Sequence, residues 1–241
     1  AYLRECMTVP GGLITYCATF LTQFFYHPWL GTTVFTALLI LLWWLCYKAF
    51  RLPRRFFCLA GIPSAMMLLS ALTPGYMIYM TKTPAFAFAG VLGFTLAAAV
   101  YFLYSRLDKA PVRAVVLAVA VIAGYPLFGF YSLFAAGVCI LGELATRRAW
   151  WVEALGALLI AAVPQVYFYA FESHLMLERA YTMGLPRFGT DRFDFVMPYW
   201  VCYLFFAALA LCGRLFKDVP LRPLKGIIVS CAALAIALGV A

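Results

Sequence analysis

The chain has 241 residues, of which 66% are hydrophobic and 11% are charged, and its mean hydropathy is +0.97. Soluble domains are about 45–50% apolar and about 25% charged, so the composition excludes a soluble globular domain and predicts a polytopic membrane protein surrounded by membrane lipid. The formal charge of +9 would indicate a nucleic-acid partner only in a soluble protein. No nucleic-acid partner is therefore predicted, and the charge is sorted by membrane side instead.

Residues 1–29 are predicted to be an interfacial segment that lies along the membrane surface before the first span. Its helix has hydroxyl groups at helical spacing among apolar residues, which gives the helix one polar stripe. The stripe consists of Thr15, Thr19, Thr22 and Tyr26. His27 and Pro28 end the segment, and His27 is predicted either to cap the adjacent helix end or to line a recess.

Residues 31–170 are predicted to form spans, among them a short hairpin over residues 114–146. The charge-free run from Ala114 to Gly142 would be roughly 43 Å long as one helix, whereas the hydrocarbon core is about 30 Å thick. The sequence GYPLFGFY, Gly124 to Tyr131, interrupts this run near its middle. Because basic residues flank both ends, the positive-inside rule places both ends on the cytoplasmic side. The tip then stops below the outer surface, which predicts a recess open to the outside, with the hairpin as its floor and the interfacial helix and the loop over residues 171–197 as its roof.

An outer loop over residues 171–197 and two final spans over residues 199–241 complete the predicted elements. Of the 18 basic residues, 13 fall in alternate turns, which the positive-inside rule assigns to the cytoplasmic side. These are Lys48, Arg51, Arg54, Arg55, Arg106, Lys109, Arg113, Arg147, Arg148, Arg214, Lys217, Arg222 and Lys225. The predicted fold class is an all-α polytopic membrane bundle of about seven spans with an outer interfacial helix, in one transmembrane domain over residues 1–241. The start at Ala1 without a methionine and the end inside an apolar run predict a fragment of a longer protein.

The predicted outer loop contains most of the candidate catalytic residues. Asp191 and Asp194, with Glu172 and His174 nearby, would supply a carboxylate base or a weak divalent-cation site. The alternative is that these are the solvated polar residues that any loop leaving a membrane requires. Their spacing matches no specific metal motif, so the metal and any other cofactor are not identified by the sequence.

Candidate substrate-binding residues lie in the same region. Arg179, Arg187 and Arg192 occur among aromatic residues, a mixture that would clamp a phosphate while the rings pack on a sugar or a lipid. His27 and His174, which share the predicted outer face, complete the candidate set. The alternative is an ordinary belt of aromatic anchors at the membrane interface.

Two opposite charges, Glu143 and Arg147, lie four residues apart at the predicted cytoplasmic end of the hairpin. An ionisable residue within a membrane is a functional hypothesis by default. At the edge of a helix, however, opposite charges at this spacing usually stabilise the helix itself. The pair is therefore predicted to be structural.

The N-terminal sequence YLRECMTVPGGLITYCATFLTQFFYHPWLG, Tyr2 to Gly31, resembles the signature of a bacterial family of multi-pass inner-membrane proteins that is defined as a domain of unknown function. The hairpin sequence GYPLFGFYSLFAAGVCILGEL, Gly124 to Leu144, fits the same family. The resemblance implies a location in the bacterial inner (cytoplasmic) membrane, with the loop over residues 171–197 on the outer face. It implies no particular activity.

The arrangement is also similar, more distantly, to membrane glycosyltransferases of the GT-C class, in which outer interfacial helices precede a bundle of spans. In that class a catalytic acid follows the first span, which here would precede Ala1, and Glu5 is the carboxylate nearest to that place. The likeness implies transfer of a polyprenyl-phosphate-linked sugar in envelope glycan assembly. An outer carboxylate would deprotonate the acceptor hydroxyl, and outer arginines would hold the leaving phosphate.

Two further function classes stay open beside the transferase. One is a transporter or flippase for a lipid or amphiphile, and the other is a non-catalytic membrane scaffold. A transporter requires polar groups near mid-membrane along a path through the protein. Few such groups occur within the predicted spans, so the transferase is the leading hypothesis.

Overall fold

A computed structural model of the chain describes residues 2–73, 86–146, 149–171, 177–185, 193–212 and 223–240. Within these ranges the fold is all-α, without a strand, as predicted. The helices are α1 (Tyr2–Cys6), α2 (Gly12–Thr22), α3 (Pro28–Ala49), α4 (Ile62–Leu72), α5 (Phe86–Tyr104), α6 (Ala110–Ile122), α7 (Gly124–Phe128), α8 (Phe130–Thr146), α9 (Trp150–Phe171), α10 (Leu177–Thr182), α11 (Phe193–Cys212) and α12 (Pro223–Val240). Short 3-10 helices cover Gln23–Tyr26, Arg54–Phe56 and Leu59–Gly61.

Three of these helices are long and apolar enough to cross a membrane. They are Pro28–Ala49, Ala87–Tyr104 and Trp150–Ala170, in α3, α5 and α9. Shorter apolar helices cover Leu59–Leu72, Ala110–Ile122, Phe130–Thr146 and Val196–Cys212. The described residues thus indicate a membrane protein with three clear candidate spans. Ala110–Ile122 and Phe130–Thr146 are each shorter than the roughly 20 residues of a full crossing, because glycine and proline interrupt the apolar run between them.

Helix α5 lies in the centre of the bundle and contacts α2, α3, α4 and α8. Its core side includes Gly90, which lies against the Tyr199 hydroxyl, and Gly93, which lies against the Tyr131 ring. The fully buried ring of Phe94 lies 5.8 Å from the Tyr131 ring, centroid to centroid, in an edge-on arrangement. Small residues beside large rings let the helices approach closely, and this packing holds α8 against the bundle.

Helices α6, α7 and α8 form the predicted hairpin segment. Near the turn, the Ser132 hydroxyl donates a hydrogen bond to the Ala120 carbonyl. At the open end, Arg113 on α6 and Glu143 on α8 form an ion pair. Contacts at both ends show that α6 and α8 run antiparallel, so the two arms return to the same end of the bundle.

Helix α2, the predicted interfacial helix, packs against α5 and α7. Each threonine hydroxyl of the predicted polar stripe donates to a carbonyl four residues earlier within the helix. The donor to acceptor distances are 3.1 Å for Thr15, 2.8 Å for Thr19 and 2.8 Å for Thr22. The three threonine hydroxyls are thus satisfied by the helix's own backbone and do not require water.

Candidate functional site

Three segments that are far apart in the sequence meet at a point that we call the glycine junction, formed by Gly11, Gly129 and Gly184. All three glycines have positive φ, with values of 85°, 58° and 88°. A Cβ atom on Gly11 would lie 3.2 Å from the Gly184 Cα and 3.6 Å from the Gly129 Cα. The backbones themselves are therefore in contact, and glycine is the residue that combines this conformation with this proximity.

Hydrogen bonds tie the tip of the hairpin to the other two segments of the junction. The N–H of the first junction glycine donates to the Pro126 carbonyl at 3.0 Å, and the Phe130 N–H donates to the Met183 carbonyl at 2.7 Å. The buried Tyr125 hydroxyl donates to the Ala180 carbonyl, at 2.6 Å, on α10. The hairpin tip is thereby fixed between the α1–α2 turn and the end of α10.

This junction differs from the open recess that the sequence predicts at the hairpin tip. The predicted floor is the tip, and the predicted roof is the interfacial segment together with the loop over residues 171–197. At the junction, floor and roof are in direct contact instead. The physical reason is that three glycines lack the side chains that would hold the segments apart.

An open space does occur beside the tip, between α5 and the hairpin, and we call it the apolar cleft. Its volume is about 230 Å³, and its lining residues include Leu96, Val100, Val119, Ala123, Leu127 and Ser132. Its rim is formed partly by Val119 on α6 and by Ala123 directly after that helix, and both residues are exposed. The described lining residues of the cleft therefore belong to the α5–α8 part of the bundle.

A buried ion pair joins the two arms at the opposite end of the hairpin. Arg113 and Glu143 are only 3% and 2% exposed. The Arg113 guanidinium donates to both carboxylate oxygens of Glu143, with 2.6 Å between Nη1 and Oε2. The Tyr104 hydroxyl, at the end of α5, is buried beside this pair. The ion pair therefore sits where α5, α6 and α8 meet.

The partner of Glu143 in the structure is thus Arg113 on the facing arm, whereas the sequence analysis paired it with Arg147. Arg147 lies outside the described residues. Sequence reasoning missed the cross-arm pair because Arg113 and Glu143 are 30 positions apart and meet only once the chain has reversed. The available signal was that each charge stands at the open end of one predicted arm.

His27 is the one predicted site residue whose side chain is described. It occupies the N-cap position of α3, with φ of −108° and ψ of 103°, and it is exposed. Its side chain makes no capping hydrogen bond within the described residues 2–73, while its ring lies 5.0 Å from the Tyr26 ring, edge-on. The residue stands at a helix end, as one of its two predictions required, although its imidazole does not cap the helix.

The other predicted site residues cannot be placed by side chain. Glu5, Arg179 and Asp194 belong to α1, α10 and α11, and their side chains are outside the described part of the structure. The remaining ones lie wholly outside the described residues. These are His174, Arg187, Asp191 and Arg192. Their roles in catalysis and in substrate binding stay predictions.

Metal binding is predicted from the acids and histidines of the outer loop. Among the described residues, no group of three or more His, Cys, Asp or Glu side chains is close enough to hold a metal ion. Glu172, His174 and Asp191 lie outside those residues, so the divalent-cation site stays a prediction.

The described residues form an all-α fold with three helices that could span a membrane. The chain belongs to the family described as "Family of unknown function (DUF6057)", which matches residues 1–227. This agrees with the family resemblance of the Tyr2 to Gly31 sequence, while the more distant likeness to GT-C transferases stays a prediction. No curated protein and no solved structure matches the chain.

Proposed function

We propose that this protein is a bacterial inner-membrane protein of about seven crossings that transfers a sugar from a polyprenyl-phosphate donor at the outer face. The observation that carries the proposal is the glycine junction. Each of its three segments belongs to a part of the chain that the positive-inside rule assigns to the outer side. Their direct contact supports a common side for all three.

The junction also adjoins the segments that hold predicted catalytic and phosphate-binding residues. Glu5 lies on α1, which packs against α2 just after the junction glycine Gly11. Arg179 directly precedes Ala180, whose carbonyl accepts a hydrogen bond from the Tyr125 hydroxyl. A carboxylate and a guanidinium on adjoining segments are suited to general-base catalysis beside a phosphate leaving group.

In the proposed reaction, a carboxylate from Glu5, Asp191 or Asp194 takes the proton of the acceptor hydroxyl. The acceptor oxygen then bonds to the anomeric carbon of the sugar, and the bond between that carbon and the phosphate oxygen breaks. Arg187 and Arg192, together with Arg179, would hold the polyprenyl phosphate that leaves, because planar guanidinium groups match phosphate oxygens.

Native mass spectrometry of the purified protein tests the donor. We expect a polyprenyl-phosphate species to accompany the wild type, and the double variant Arg187→Ala/Arg192→Ala to bind it about 100-fold more weakly, because two charge-assisted contacts are lost. The matched control is Arg54→Ala/Lys109→Ala, which removes two exposed cations from the predicted cytoplasmic side. Only ordinary phospholipid in all three proteins would refute the donor assignment.

The transfer step has its own test in proteoliposomes that contain a radiolabelled polyprenyl-phosphate hexose. Glu5→Gln or Asp194→Asn should slow release of polyprenyl phosphate by about 10²–10⁴-fold, the contribution typical of a general base, while donor binding by mass spectrometry persists. Equal release rates in the wild type and in both variants would show that these carboxylates are not the base.

A transporter of lipid-like substrates is the second candidate, and one observation favours it. The hydroxyls of Tyr131 and Tyr203 are buried in the bundle and have no hydrogen-bond partner among the described residues. Unpartnered polar groups at membrane depth are unusual and often belong to a pathway. If transport is the function, the protein in vesicles should flip a fluorescent lipid between leaflets, and Tyr131→Phe/Tyr203→Phe should slow this flipping. A transferase should not flip the lipid.

A further inference from the structure

The apolar cleft offers a binding site that the proposed transfer reaction does not require. Helices α5, α6, α7 and α8 form its walls, with about 230 Å³ of free space. An engineered apolar cavity of about 150 Å³ is large enough to hold a benzene ring. The cleft therefore has room for a longer hydrocarbon segment, although not for a whole lipid with its head group.

The chemistry of the walls excludes water as the natural occupant. Ser132 is the one polar side chain among the described lining residues, and its hydroxyl already donates to the Ala120 carbonyl. A cavity water needs about two to four polar partners, and apolar cavities stay dry. The cleft can therefore be filled favourably only by another apolar group.

The opening of the cleft lies on a face that suits contact with lipid. Helix α6 exposes a stripe of branched apolar residues at helical spacing, Val112, Val115, Val119 and Ile122. Val119, which is 58% exposed, belongs both to this stripe and to the cleft lining. The cleft is therefore continuous with a surface that would face the hydrocarbon of the bilayer.

The depth of the opening also agrees with a lipid chain. Leu96 and Val100, on the opposite wall, lie within the candidate span Ala87–Tyr104. The floor is formed by small residues such as Ala123 and Gly124, which leave a slot beside α7 where the hairpin turns. A linear chain can enter this slot sideways from the bilayer, while a folded protein segment would need its backbone polar groups satisfied there.

We propose that the apolar cleft binds one acyl chain of a membrane phospholipid, which enters past Val119 and lies between α5 and the hairpin. The lipid acts as part of the hairpin's support, because the chain packs on Leu127 of α7 and on the walls of α5 and α6. This assignment stands independently of the proposed sugar transfer, since the described lining residues include none of the predicted catalytic set.

A cleft-filling variant tests the proposal. The protein is reconstituted in vesicles of phosphatidylethanolamine and phosphatidylglycerol and then extracted in mild detergent. Its bound lipid is measured by native mass spectrometry. We expect the wild type to retain one phospholipid, and Ala123→Phe, whose ring would occupy the cleft, to retain about tenfold less. Val115→Phe places the same ring on the exposed stripe of α6, outside the described cleft lining, and should retain lipid like the wild type.

Two outcomes of this measurement would overturn the proposal. One is equal phospholipid retention in all three proteins, which would show that the lipid is bound elsewhere. The other is retention of a polyprenyl species in place of phospholipid, lost in Ala123→Phe, which would assign the cleft to the sugar donor's chain. The Arg187→Ala/Arg192→Ala experiment fails or succeeds independently, because it tests the head-group phosphate.

A second measurement uses the wild type alone, so that it does not depend on folding of the variants. A phospholipid with a photoactivatable diazirine in the middle of one acyl chain is added to the vesicles. Saturable labelling of the peptides that contain Leu96 and Ala123 supports the assignment. Labelling spread evenly along the exposed stripe of α6, and not reduced by excess unlabelled phospholipid, would contradict it.

Discussion

The two ends of the α6–α8 hairpin are held together by opposite kinds of chemistry. At the tip, the glycine junction joins three segments through backbone contacts and through hydrogen bonds between uncharged main-chain groups. At the open end, the arms are joined by the buried Arg113–Glu143 ion pair. The tip therefore depends on the shape of the chain and on the absence of Cβ atoms. The open end depends on charge balance in a medium of low polarity.

The two ends of the hairpin also differ in the substitutions that they tolerate. A backbone contact between glycines has no tolerance for added atoms, because there is no side chain that could move aside. An ion pair tolerates replacement of both partners together far better than replacement of one. The two ends should thus respond to different substitutions, and three sets of variants separate them.

The largest effect is expected at the open end. Glu143→Gln leaves the Arg113 charge buried without its counter-ion and should lower the free energy of unfolding by about 3–5 kcal/mol. The measurement is reversible unfolding in mixed micelles. The control is the double variant Arg113→Met/Glu143→Met, which removes both charges and should be more stable than the single variant. A single variant as stable as the wild type would show that Arg113 is solvated or has another partner.

The next effect concerns the tip. Gly129 has φ of 58° and ψ of −133°, a region that residues with a Cβ avoid, and an added Cβ would also collide with the Met183 carbonyl. Gly129→Ala should therefore lower the free energy of unfolding by about 3 kcal/mol.

The matched control for this glycine lies on α8. A Cβ atom added at Gly137 would have no atom of the described residues within 4 Å, so Gly137→Ala should be neutral or stabilising by up to about 1 kcal/mol. If both alanine variants unfold alike, in the same mixed-micelle titration, the junction is not the close contact described above.

The smallest effect compares two buried tyrosines near the tip. Tyr125→Phe removes the hydrogen bond to the Ala180 carbonyl and leaves that acceptor unsatisfied, at an expected cost of about 1–2 kcal/mol. Tyr131→Phe removes a hydroxyl that has no hydrogen-bond partner in the described part of the chain, so stability should be unchanged or slightly higher. Thermal unfolding in detergent ranks the two variants, and the reverse order would contradict these assignments.

Several features of the fold could be predicted from the sequence because they depend on local pattern. The apolar composition and the long apolar runs predicted an all-α fold, which the described residues confirm. The sequence from Gly124 to Tyr131 predicted a break in the long apolar run, and α6, α7 and α8 are divided there. The family was also recognisable from the N-terminal sequence, which falls within the matched residues 1–227.

The candidate site was less predictable, because it consists of contacts between distant residues. Gly129 lies in the sequence that predicted the break, but in a chain with 17 glycines nothing indicates that Gly11 and Gly184 meet it. The pairing of Glu143 with Arg113 likewise required the reversal of the chain, whereas the spacing rule considered only the neighbour four positions away. The assignment of the predicted acids and arginines to the outer face depends on the distribution of basic residues alone.

The sequence by itself determined the class of this protein, since exposing so large an apolar fraction to water is unfavourable and helices satisfy their backbone groups internally. It also determined where the helices break, because glycine and proline act on their own positions. Only the tertiary structure decided which glycines meet, which charges pair and where a cleft stays open. Those features arise from packing between helices, and packing depends on shapes that no local pattern contains.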